Sequence, residues 1–131
     1  MILVIGGAYQ YKLEFTHEIL KGKKVNLKQI RICNGAVDEL ELIMKSDVVY
    51  QFHLYVKRMM ELDMDVAAVI ERLAVENPDA IVILDEIGSG IVPVTAEDRA
   101  YREAVGAAGA LLVSHAEAVY RVFCGIGTRI K

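Results

Sequence analysis

The chain has 131 residues, with 15 basic and 18 acidic side chains, a formal charge of −3 and 54% apolar residues. That length supports one domain with its own buried core, and the mild acidity without a basic tract argues against nucleic acid as a partner. The apolar runs are too short to cross a bilayer and the opening MILVI lacks a basic flank, so a cytoplasmic protein of one domain, 1–131, is expected.

Met1–Ile5 is apolar at every position, as a strand buried on both faces of a parallel sheet would be. Gly6–Gly7 reads as a turn. A helix follows from about Tyr11, with Leu13, Thr16, Ile19 and Leu20 on one face and Gly22 with Lys21, Lys23 and Lys24 at its end. A second strand is expected over Gln29–Cys33, then a loop at Asn34–Gly35. Helical spacing takes over at Val48/Val49, Phe52, Tyr55/Val56 and Met59. It repeats at Val66, Val69/Ile70 and Leu73 until Asn77–Pro78 stops it. The tyrosines and methionines of this stretch are expected to face the core.

AIVILDE is a second wholly apolar strand, followed by the loop IGSGIVP. Thr95 reads as an N-cap with Asp98 three residues on, opening a helix whose buried stripe is Tyr101, Val105, Ala108 and Leu112. AVYRVFC is a further strand, GIG a tight turn and TRIK a short last strand, closing the chain in a hairpin. The predicted class is α/β, a mostly parallel sheet flanked by helices with an antiparallel C-terminal hairpin. Cys33 and Cys124 both end apolar runs, have no metal-type spacing, and read as buried reduced thiols.

The stretch GGAYQYKL after the first strand invites comparison with the phosphate-binding pattern GxxxxGK[ST]. In that pattern glycines let backbone N–H groups face phosphate, lysine reaches its oxygens, and the hydroxyl binds magnesium. Gly6 is the first glycine and Lys12 the lysine, but Tyr11 stands at the second glycine and Leu13 at the hydroxyl. Gly6, Gly7, Ala8 and Lys12 are thus candidate nucleotide contacts. The alternative is an ordinary strand-to-helix corner with a surface lysine. Asp85–Glu86 ends the second apolar strand, at the edge where parallel α/β sheets hold ligands, and is the candidate magnesium and catalytic pair beside Lys12. The alternative there is a polar pair ending a strand.

The segment from DEIGSGIVP to GIGTRIK resembles the bifunctional adenosylcobinamide kinase/adenosylcobinamide-phosphate guanylyltransferase family of cobalamin biosynthesis. Glu86, Gly88, Gly90, Ile91, Val92 and Pro93 match that family's NEVGxGIVP. Arg99, Arg102, Gly106, Glu117, Val119, Tyr120, Gly125, Gly127 and Lys131 follow its later pattern, and MILVIGGA is similar to its opening. The resemblance implies a P-loop α/β fold, often oligomeric. It also implies phosphorylation of a cobinamide hydroxyl with ATP or GTP, and GMP transfer through a guanylylated histidine. It adds Arg99 and Arg102 as candidate anion contacts, whose alternative is solvated pairing with Glu97, Asp98 and Glu103. Gly88, Gly90 and Pro93 shape the loop at the sheet edge.

The chain departs from the family at Tyr11 and Leu13, at Gly106–Ala110 (GAAGA for GR-x-NQ), and at Val94, where the family has Glu. It is also shorter in the middle, where the family carries its acceptor histidine; His17, His53 and His115 sit in no such motif. The favoured expectation is a homologue with a degenerate phosphate loop that binds nucleotide weakly or does not catalyse, with GTP or ATP and Mg as the candidate cofactors and a homo-oligomer as its assembly. The alternatives are an active kinase or nucleotidyltransferase with a rearranged site, and a structural or regulatory oligomerisation module without nucleotide.

Overall fold

The computed structural model describes residues 1–88 and 90–131. Ser89, inside the IGSGIVP loop, lies outside the described residues. The chain runs β1 (Ile2–Gly6), α1 (Lys12–Gly22), a 3-10 turn (Leu27–Gln29), β2 (Ile32–Asn34), α2 (Leu40–Ile43) and β3 (Val48–Tyr50). It continues through α3 (Phe52–Glu61), α4 (Val66–Glu76), β4 (Ile81–Asp85), α5 (Ala96–His115), β5 (Ala118–Phe123) and β6 (Ile126–Arg129). The strands form one six-stranded sheet in the order β2-β3-β4-β1-β5-β6, parallel throughout except for the β5–β6 hairpin.

Alternation along the strands divides the core in two. Ile2 and Val4 of β1, Ile81 and Ile83 of β4, and Ala118 and Val122 of β5 pack toward α1, with Leu13, Phe15 and Leu20. Leu3, Val82, Leu84 and Val119 face the other way, onto α3, α4 and α5 through Phe52, Tyr55, Met59, Ile70, Leu73, Val105 and Leu112. Wholly apolar β1 and β4 are thus explained, because both faces of each are covered.

Several expectations need correction. The segment read as a strand over Gln29–Cys33 starts with a 3-10 turn, and β2 occupies Ile32–Asn34. Val48 and Val49 are not the start of a helix but the buried centre of β3, in register with β2 and β4. Their spacing to Phe52 imitates a helical step, yet two β-branched residues and a tyrosine suit a pleated, covered strand better. The helical stretch beyond is two helices. It breaks where Asp63 takes a positive φ of 52° and the Asp65 side chain caps α4 by accepting from the Ala68 N–H. The last turn is Cys124–Gly125, with φ of 49° and 79°, so Ile126 and Gly127 already belong to β6. That turn also exposes Cys124; only Cys33 is a buried thiol, and burial raises its pKa.

The N-cap at Thr95 is as expected, its hydroxyl accepting from the Asp98 N–H at 3.1 Å. Among the described residues no helix is long and apolar enough to cross a membrane.

Candidate functional site

The C-terminal ends of β1 and β4 are drawn together at the sheet edge, where the Glu86 N–H donates to the Gly6 carbonyl at 2.9 Å. Beyond Gly6 the backbone passes close to β5. A Cβ on Gly6 would stand 2.5 Å from the Val122 carbonyl oxygen, so this position admits only glycine. The loop then turns through Tyr9 (φ 58°) and Tyr11 (φ 62°), both left-handed. Tyr11 therefore accepts the backbone that a glycine would adopt freely, at a cost of about 1–2 kcal/mol.

Lys12 is the residue around which the loop closes. It is 5% exposed, donates to the Gly7 carbonyl at 2.5 Å, and lies 2.9 Å from Asp85 Oδ1. The reading as a corner with a surface lysine is therefore incorrect on its second point, because this ammonium is buried and paired. Thr16, one turn on, is also buried and donates to the Lys12 carbonyl. Among the described residues, the N–H groups of Ala8 to Leu13 have no protein acceptor. The turn of β5–β6 braces the loop from the side: Cys124 N–H donates to Gln10 Oε1 at 2.6 Å and Gly125 N–H to the Gln10 carbonyl at 3.1 Å.

Asp85 and Glu86 part company. Consecutive strand residues point to opposite faces, so Asp85 joins Lys12 while Glu86 pairs with Arg121 at 3.2 Å. Glu86 lines a cleft of 620 Å³ with Arg121, Phe123, Thr128 and Ile130, which the loop touches only at Gly7 and Gln10. Most of the loop faces a second cavity of 480 Å³ walled by Ala8–Glu14, Tyr50, Gln51, His53 and Asp85.

His53 enters this site from the first turn of α3. It is 8% exposed, and its Nδ1 lies 3.9 Å from Asp85 Oδ1, too far for a hydrogen bond. That nitrogen is buried without a partner. Burial lowers the imidazole pKa, the Lys12 charge lowers it further, and Asp85 opposes both, so His53 is neutral near pH 7. Tyr101 on α5 steadies the turn by donating its hydroxyl to the His53 carbonyl at 3.0 Å. Gln51, preceding α3, has a φ of 56° and leaves the helix without a side-chain cap. Sequence reasoning passed over Gln51 and placed Tyr50 on a helical face, not at this site, because their place depends on β3, which looked like helix.

Arg99 and Arg102 are not part of the cavity wall. Arg99 donates to the Pro93 and Val94 carbonyls, and Arg102 to the Gly88 carbonyl, so both fasten the loop after β4. A Cβ on Gly90 would meet no neighbouring atom. Gly106, Gly109 and Ala110 of the GAAGA stretch line a groove of 260 Å³ between α5 and the edge of β4. Among the described residues no three His, Cys, Asp or Glu side chains gather to hold a metal ion. With Asp85 committed to Lys12 and Leu13 beside it, these side chains do not fit magnesium by themselves.

A parallel sheet with a glycine-and-lysine loop and an acid meeting at one edge defines an α/β protein of the class that holds ligands at strand C-termini. Residues 34–130 match the family model for cobinamide kinase / cobinamide phosphate guanyltransferase, and the chain belongs to that family. The family's two activities both consume nucleotides, and it serves cobalamin biosynthesis. The matched stretch begins after the Gly6–Leu13 loop. No curated protein matches the chain.

Proposed function

We propose that this chain is a nucleotide-binding member of its family that holds phosphate on the Gly6–Leu13 loop and binds weakly, with little or no turnover. The observation that carries this reading is Lys12, drawn in to 5% exposure and aimed across its own loop at Gly7 and Asp85. Burying an ammonium costs several kcal/mol unless it is paired, so its inward placement suits a site that manages anionic charge. Gly6, Gly7 and Ala8 would supply close backbone, and the unpartnered N–H groups of Ala8–Leu13 the hydrogen bonds. Among the described residues, three of the six non-glycine residues with positive φ (Tyr9, Tyr11 and Gln51) border the same cavity, and such strain gathers where function requires it. Weakness follows from Leu13, which offers magnesium no hydroxyl, and from Gly106–Ala110, which offers substrate no polar side chain. Arg99 and Arg102 act in this reading through the loop they fasten.

A second reading is an active kinase or nucleotidyltransferase on adenosylcobinamide with a rearranged site. It is favoured by the approach of His53 to Asp85. The reading as an oligomerisation module without nucleotide would need an exposed helical face of Tyr50, Tyr55, Met59 and Met60, but Tyr55 and Met59 are core residues and Tyr50 and Met60 half-buried. Homo-oligomerisation itself stays part of the proposal, supported by the exposure of Phe123, Ile126 and Ile130 on the C-terminal hairpin. A cytoplasmic setting, where nucleotides are available, is part of it too.

Calorimetric titration with GTP and ATP, with and without magnesium, tests this on the native chain and on Lys12→Ala. The expected result is binding that magnesium changes little and that Lys12→Ala weakens at least about tenfold, the loss of one charge-assisted contact. Binding that requires magnesium would favour the second reading. No heat at millimolar nucleotide would refute the nucleotide site.

A further inference from the structure

The cavity facing the loop has a second wall that the phosphate reading does not use. α3 is ten residues long, and its N-terminus lacks a side-chain cap and has no acidic residue in its first turn. Its partial positive charge is therefore uncompensated by its own sequence. Among the described residues, the Phe52 and His53 N–H groups have no protein acceptor. The carboxylates on the cavity, Glu14 and Asp85, come from α1 and β4, and Asp85 is neutralised by Lys12. An independent feature points to a ligand. The His53 side chain, 10% exposed, borders this cavity with Nδ1 unpartnered. A buried polar atom without a partner is costly and calls for an explanation.

We propose that the N-terminus of α3, with His53 and Gln51, forms a second oxyanion subsite that takes the terminal phosphoryl group of a polyphosphate chain whose inner phosphates rest on the Gly6–Lys12 loop. This rests on the phosphate-loop reading above and extends it, since it makes chain length the property the site selects. Lys12 and His53 both approach Asp85 Oδ1, at 2.9 and 3.9 Å, so the two subsites adjoin around one carboxylate. Oxygens of the terminal group would accept from the Phe52 and His53 N–H groups and from the imidazole and carboxamide side chains. A ligand one phosphate shorter would fill the loop and leave α3 uncapped.

The test is calorimetric titration of the whole chain with inorganic pyrophosphate and with tripolyphosphate, in the native protein and in Lys12→Ala, His53→Asn and Gln51→Glu. Tripolyphosphate is expected to bind about tenfold more tightly than pyrophosphate in the native chain, the gain from one to two charge-assisted hydrogen bonds. His53→Asn should shrink that ratio. Gln51→Glu is near-isosteric and places a carboxylate at a helix N-terminus, so it should keep or raise the unfolding temperature while bringing the ratio to about one. Lys12→Ala should weaken both ligands. Equal affinity for the two in the native protein, with pyrophosphate bound and lost in Lys12→Ala, would overturn the second subsite and leave the loop reading standing. Loss of both ligands equally in Gln51→Glu, with the fold intact, would also overturn it. No binding of either to the native chain would remove the loop reading and this inference with it.

Discussion

Tyr11 shows what one substitution in a phosphate-loop pattern does physically. The backbone keeps the left-handed turn with φ of 62°, so the loop closes despite the side chain. Replacing Tyr11 with glycine should relieve about 1–2 kcal/mol of strain and return about 0.5–1 kcal/mol through unfolded-state entropy. Tyr11→Gly is therefore expected to be neutral to about 1 kcal/mol more stable, read from its denaturant midpoint. A clear destabilisation would mean that the tyrosine makes contacts that outweigh its backbone. His53 gives a prediction of opposite character. Burial depresses its folded pKa, so the unfolded state takes up a proton first as pH falls. Stability should decline below about pH 6.5 and level off once the folded histidine also titrates. In His53→Leu that part of the pH dependence should be missing, and an unchanged profile would refute the assignment. Lys12 and Asp85 could be named from sequence because each ends or follows a recognisable strand. Their ion pair could not, since it depends on Asp85 facing α1 and Glu86 facing away.

At the level of elements, the apolar runs that became β1 and β4 and the capped start of α5 were legible because each carries a local signal. β3 was not, because Val48–Tyr50 is three residues long and joins a helix after one residue, so its pattern merges with that of α3. The error carried over to the site: with β3 read as helix, Gln51 and His53 fall in mid-helix, and no convergence with the loop is visible. The hairpin was seen, but its role in bracing Gln10 was not, since that contact spans 114 positions of the chain. Gly6 lies close against the backbone of β5. Gly6→Ala would force a methyl against the Val122 carbonyl oxygen at 2.5 Å, where backbone and not a movable side chain must yield. A loss of about 3 kcal/mol is expected in chemical denaturation, at the upper end of ordinary overpacking. A loss under about 1 kcal/mol would show that β1 and β5 can part without cost.

Over the whole molecule, the order β2-β3-β4-β1-β5-β6 places two clefts beside the same strand ends. One holds Lys12, Asp85 and His53 with the N-termini of α1 and α3; the other holds Glu86, Arg121 and the exposed side of the hairpin. The second is the larger, and each holds an ion pair, at 2.9 Å in the first and 3.2 Å in the second, but the first adds unpartnered N–H groups and an orphaned imidazole nitrogen. The central claim is that the smaller cleft is the anion site. It is tested most directly by following the assigned backbone amide resonances of the protein during titration with pyrophosphate. Saturable shifts concentrated at Ala8–Leu13, and lost in Lys12→Ala, are the predicted result. Shifts centred on Glu86, Arg121 and Thr128, or none at either cleft, would contradict it.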